Sequence, residues 1–63
     1  MIFVAQLDPT TGALMQGLGF TSTAGAEAHI AAHPEFNYAT VDRFVSPQTH
    51  EYVNGTIRAK EGV

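Results

Sequence analysis

Cysteine is absent from the 63 residues, which excludes disulfides and thiolate zinc sites as supports for so short a chain. Basic residues are nearly absent as well: Arg43, Arg58 and Lys60 stand against six acidic residues, for a formal charge of -3. Three scattered cations offer phosphates no electrostatic footprint, so nucleic acid is not expected as a partner. No apolar run approaches the roughly 20 residues of a membrane span, and Met1 to Leu7 lacks the basic flank of a signal peptide. The expectation is a soluble chain, without membrane contact, made in the cytoplasm.

Charge of either sign is scarce. Charged residues make up 14% of the chain, against about 25% in a typical soluble domain. A single domain of this length buries only about 60% of the surface its unfolded form exposes. Much of the remaining surface must then be Thr, Ser, Gly, Ala, Gln and Asn, which repel a neighbour weakly. Association can supply the burial that length denies, so composition predicts an oligomer or a subunit of a larger assembly.

The elements follow from local chemistry. Met1 to Leu7 is a compact apolar run that meets Asp8-Pro9-Thr10-Thr11-Gly12. Proline presets φ for a turn, Asp8 can bond back to the turn backbone, and Gly12 can take positive φ, so a hairpin follows. The returning strand, Ala13 to Phe20, alternates Leu14, Gln16, Leu18 and Phe20 on one face with Ala13, Met15, Gly17 and Gly19 on the other. Two glycines on one face suggest a bulge or a close backbone approach. Thr21, Ser22 or Thr23 can cap the alanine-rich stretch that follows, with Glu27 near its positive end. Pro34 should stop the helix near Ala32.

Beyond a connector at Glu35 to Asn37, Tyr38 to Val45 is rich in β-branched and aromatic residues and reads as a strand. Ser46-Pro47-Gln48-Thr49 reads as a turn. Asn54-Gly55 is the strongest short hairpin signal, because both central positions of a type I′ turn need positive φ. That register pairs Val53 with Thr56, Tyr52 with Ile57, Glu51 with Arg58 and His50 with Ala59. It places Tyr52 and Ile57 on the buried face and the Glu51–Arg58 ion pair outside. Glu61-Gly62-Val63 is expected to fray. The predicted class is α+β: one small antiparallel sheet with one helix packed on a face, in the order ββαβββ.

Each candidate for chemistry has a competing structural reading. His29 and His33 are four apart, a spacing that puts two imidazoles on one helix face, and His50 could supply a third metal ligand. A hydrolytic zinc helix would need Glu where Ile30 stands, and Pro34 pulls His33 off helical geometry. The favoured reading is two exposed polar histidines beside a helix end, with no metal and no cofactor. Gly17-Leu18-Gly19-Phe20-Thr21-Ser22 lies between a strand and a helix, as a dinucleotide fingerprint does, but its third glycine is missing and its strand is committed to a hairpin. Asn54-Gly55-Thr56 has the form of a glycosylation sequon, which the turn reading explains fully. Asp8, Glu27, Glu35, Asp42, Glu51 and Glu61 each have a local role, and no nucleophile, base and acid are brought together by spacing. The expectation is a protein without catalysis.

The aromatic residues lack the flanking Lys and Arg of base-stacking sheets and are expected to pack in a core or an interface. Phe3, Leu14, Leu18, Phe20, Ile30, Val41, Phe44, Tyr52 and Ile57 are the expected core. One thin helix covers one sheet face and leaves the other open, and an open apolar face marks an interface. Ile2, Val4, Met15, Phe36 and Val45 are the expected interface residues.

The run Val45-Ser46-Pro47-Gln48-Thr49-His50-Glu51-Tyr52-Val53-Asn54-Gly55-Thr56-Ile57, with the Asp-Pro-Thr-Thr-Gly turn upstream, resembles compact β-rich segments of tailed-bacteriophage structural proteins. There, Ser-Pro-x-Thr-His followed by strand, glycine turn and strand occurs in small tail, neck and fibre-associated polypeptides. The resemblance covers about the last third of the chain. It implies a virion component present in many copies, in contact with copies of itself or with larger virion proteins. The alternative is a small regulatory module, inhibitor-like or antitoxin-like, that docks its sheet on one target protein and whose acidic balance suits a basic one.

Overall fold

The computed structural model describes residues 1–61. It is an α+β fold whose elements run β1 (Ile2–Leu7), β2 (Leu14–Phe20), α1 (Thr23–Ala32), β3 (Asn37–Val41), β4 (His50–Val53) and β5 (Thr56–Ala59). The order ββαβββ is as expected. The single sheet is not: the strands form an antiparallel three-stranded sheet, β2-β1-β3, and a separate β4–β5 hairpin.

The first turn is built as its residues dictate. Asp8 Oδ1 accepts from Thr10 N–H at 2.7 Å, and the Gly12 N–H donates to the Asp8 carbonyl at 2.8 Å. Gly12 sits at φ +74°, where a side chain would be strained. The pairing then shifts: Gln6 opposes Gln16, but Leu7 opposes Leu14, so Met15 is an extra residue in β2. This bulge moves Leu14 off the face expected for it. Leu14 joins Ala5 and Leu7 on one side of the sheet, while Gln16, Leu18 and Phe20 stay on the other with Val4 and Gln6, because one added residue reverses strand parity.

Helix α1 covers the second of these faces. Ser22 caps it, accepting from the Gly25 N–H at 3.1 Å, and it ends before Pro34 with the His33 N–H donating to the His29 carbonyl at 3.0 Å. Only Ala26 of the helix is buried. Beneath it lies Val4, 3% exposed, so Val4 belongs to the chain's own core and not to an external interface. Ile30 is 37% exposed and is not core. The helix is too short and too rich in alanine to bring more than one turn's side chains onto the sheet.

The opposite face is closed, contrary to expectation. The strand expected over Tyr38 to Val45 ends at Val41, the chain bends at Asp42 and Arg43, and residues 44–49 leave the plane of the sheet. Val45 then lies across the sheet with 2% exposure, in one cluster with Ala5, Leu7 and Leu14, and Tyr52 and Ile57 of the second hairpin pack against that cluster. Val45 is therefore core, and the face expected to await a partner is roofed by the chain itself. Phe44, expected in the core, is 60% exposed, since a bend that buries Val45 turns its neighbour outward.

The second hairpin matches its predicted register throughout. Asn54 and Gly55 both have positive φ, 52° and 82°, as a type I′ turn requires. Arg58 Nε donates to Glu51 Oε2 at 2.9 Å. At this exposure the pair contributes at most about 1 kcal/mol. The turn before the hairpin is closed by the Ser46 carbonyl, which accepts from the Thr49 and His50 N–H groups at 3.1 and 2.8 Å. Of the expected fraying tail, Gly62 and Val63 lie outside the described residues, and Glu61 is exposed.

Candidate functional site

A groove of about 540 Å³ opens between β3 and β5. Its walls are strand edges. Successive residues of a strand direct their backbone N–H and C=O groups to opposite edges. The Asp8 N–H donates to the Ala13 carbonyl on the β2 side, so the odd residues Phe3, Ala5 and Leu7 address β3, where they meet Val41, Ala39 and Asn37. Thr40, between those partners, directs its backbone groups away from β1. On the other wall, the Lys60 N–H donates to the Thr49 carbonyl at 3.0 Å. By the same alternation Arg58 and Thr56 address β4, and Ile57 and Ala59 direct their backbone groups outward. Among the described residues no strand pairs with either edge.

The floor and rim are short side chains with few charges. Ala39, Val41, Val45 and Ile57 are apolar, and Asp42, Arg43 and Arg58 are the charged lining residues. Arg43 reaches back to Asp42 with two bonds, Nε to Oδ1 at 3.0 Å and Nη2 to Oδ2 at 3.2 Å. These bonds hold the Asp42 carboxyl below the usual aspartate range, and the Asp42 carboxylate in turn raises Arg43.

The expected interface residues do not form one surface. Ile2 and Val4 share the helix side of the sheet, Val4 under the helix and Ile2 half-buried. Val45 is buried on the opposite side. Phe36 is half-buried in the connector before β3, and Met15 is 40% exposed at the bulge. The other large apolar side chains open to solvent are Met1, Ile30 and Phe44.

The histidines are divided by the sheet. His29 and His33 have ring centroids 4.8 Å apart on the helix side, while His50 stands on β4, over the other face. His33 has left helical geometry, at φ -129° and ψ 64°, as Pro34 dictates. Among the described residues no three of His, Cys, Asp and Glu are grouped as a metal would need. His29 is not the exposed residue that was expected. It is half-buried, with Nε2 3.3 Å from Oε1 of the buried Gln6 and its ring against Phe20 and Tyr38. The Tyr38 hydroxyl donates to the His33 carbonyl at 2.8 Å, and partial burial, then the Glu35 carboxylate, raises it above the usual phenol range.

His50 has its own partner, with Thr49 Oγ1 2.8 Å from Nδ1 and Ser46 Oγ 3.2 Å beyond. This chain of hydroxyls holds the turn into β4. Gly17 and Gly19, the candidate phosphate-binding glycines, sit inside β2: a Cβ on Gly17 would overlap the Val45 carbonyl, and one on the exposed Gly19 would meet Met1 Sδ at 3.3 Å.

No helix among the described residues is long and apolar enough to cross a membrane. No family profile, curated protein or solved structure matches the chain.

Proposed function

We propose that this chain is a non-catalytic structural or adaptor subunit of a larger assembly, a component of a bacteriophage particle in its tail, neck, fibre attachment or capsid decoration, acting through contacts with copies of itself or with larger virion proteins. The reading does not rest on an open sheet face, because the second hairpin closes it. One observation carries it: two unpaired strand edges, at Thr40 and at Ile57 and Ala59, border the same groove. Unpaired edges are a recurring means of joining protein chains, and a monomer ordinarily blunts them. The low charge of the chain and the solvent-facing Met1, Met15, Ile30 and Phe44 support the same reading, since each lowers the cost of being covered.

Quantitative mass spectrometry of particles purified from the producing host tests it. The expected result is the chain at a fixed copy number per particle, retained through a salt wash. Recovery only as a monomer bound to one host protein, with none in particles, would overturn this reading in favour of a regulatory inhibitor.

A further inference from the structure

We propose that the β3–β5 groove takes an extended, carboxylate-bearing segment of a partner protein as an added strand that bridges the two sheets. The inference rests on the subunit reading for its choice of a polypeptide over a small molecule. The geometry of the groove supplies the rest.

A strand carries backbone donors and acceptors on both of its edges, so a segment lying between two unpaired edges can satisfy both at once. Thr40 offers such groups from one wall, and Ile57 and Ala59 offer them from the other. The second hairpin already approaches the first sheet on its far side, where β4 meets β2. An added strand would therefore join the two sheets on the side away from that contact. The side chains beneath the path, Ala39, Val41, Val45 and Ile57, suit an occupant with small or β-branched residues facing inward.

Charge selects among such segments. The chain carries a net charge of -3, yet two of its three basic residues, Arg43 and Arg58, line this groove, and Asp42 is the sole carboxylate among its lining residues. Arg58 is held on one side by Glu51 and Arg43 by Asp42. Guanidinium groups have further N–H donors for an incoming carboxylate. The outward side chains of the occupant are thus expected to be acidic.

The probe is a capped peptide, Glu-Val-Glu-Val-Thr-Val-Glu, titrated to millimolar concentration into the intact chain while amide hydrogen exchange is followed by NMR. The Thr40, Ile57 and Ala59 amides are expected to slow by about tenfold or more, since a bonded amide exchanges only on opening. The same peptide with Lys in place of Glu should bind about threefold more weakly, the scale of an exposed ion pair. Ala59→Pro removes an outward N–H at a position where an edge strand tolerates proline, and should abolish the protection at unchanged melting temperature. Should that variant fail to fold, a peptide N-methylated at alternate residues makes the same test on the wild-type chain.

Protection confined to the β2 edge or the helix, no protection at millimolar peptide, or equal binding of the N-methylated peptide would each overturn the inference. The particle experiment separates the two proposals. A chain found in particles but blind to the peptide removes the groove assignment alone, whereas peptide protection with no chain in particles supports the groove and removes the virion reading.

Discussion

The carbonyl of Val45 stands where a side chain on Gly17 would begin. Through this contact the segment after β3 crosses the sheet at van der Waals distance, and Val45 becomes the most deeply buried large side chain of the fold. Two predictions from packing, one from a helix cap and one from charge can be checked on the isolated chain.

Gly17→Ala should destabilise the protein by about 3 kcal/mol, because the added methyl meets backbone, which cannot rotate away as a side chain can. Gly19→Ala is the control. Its Cβ would meet the end of the flexible Met1 side chain, so the loss should stay below about 1 kcal/mol. Urea unfolding of the two variants measures the difference, and equal losses would disprove the crossing.

Leu14 lies on the Val45 side of the sheet only because Met15 is bulged. Leu14→Ala should cost about 3 kcal/mol, within the range for a buried leucine. Phe44→Ser, at a larger but exposed side chain, should change stability by less than about 0.5 kcal/mol. A large loss at Phe44 with little at Leu14 would mean that the faces are assigned the wrong way round.

Ser22→Ala removes the oxygen that accepts from the Gly25 N–H and should cost about 1 kcal/mol. Ser22→Asn should restore most of it. Thermal melting by circular dichroism reads both, and Thr21→Ala and Thr23→Ala are expected to have smaller effects, since neither makes this bond.

Asp42 is held below the ordinary aspartate value by Arg43. Following the carboxyl carbon by NMR should show Asp42 titrating at lower pH than a free aspartate, and Arg43→Gln should return it to the usual range. The sign for stability follows. A carboxyl whose folded value is depressed stabilises the fold above its unfolded value, and that contribution disappears as pH falls through the depressed folded value. Both groups are well exposed, so the effect is expected in the titration and not as a large change in melting temperature.

The groove between β3 and β5 is invisible in the sequence, although every residue lining it falls within a predicted element or turn. Unpaired edges are a property of which strands are neighbours, and strand order depends on contacts between residues far apart in the chain. The same holds for His29. Its spacing from His33 suggested a shared ligand face, but the residue that engages it is Gln6, 23 positions away. A buried glutamine in the middle of an apolar strand was the available signal: a polar side chain that is buried needs a partner.

Turns and element types were written locally. Asp8 and Gly12, Ser22, Pro34 and the Asn54-Gly55 pair each act through bonds or φ values within a few residues of themselves, so the order ββαβββ and the whole register of the second hairpin follow from residue identity. Three features were decided elsewhere. The bulge at Met15, the bend at Asp42 and Arg43, and the seat of Val45 on Gly17 determine which side chains are covered, and they turned one predicted sheet with an open face into two sheets with a groove between their edges. Chain chemistry within a turn selects local conformation, whereas burial is a competition among distant surfaces that is settled only when the layers meet.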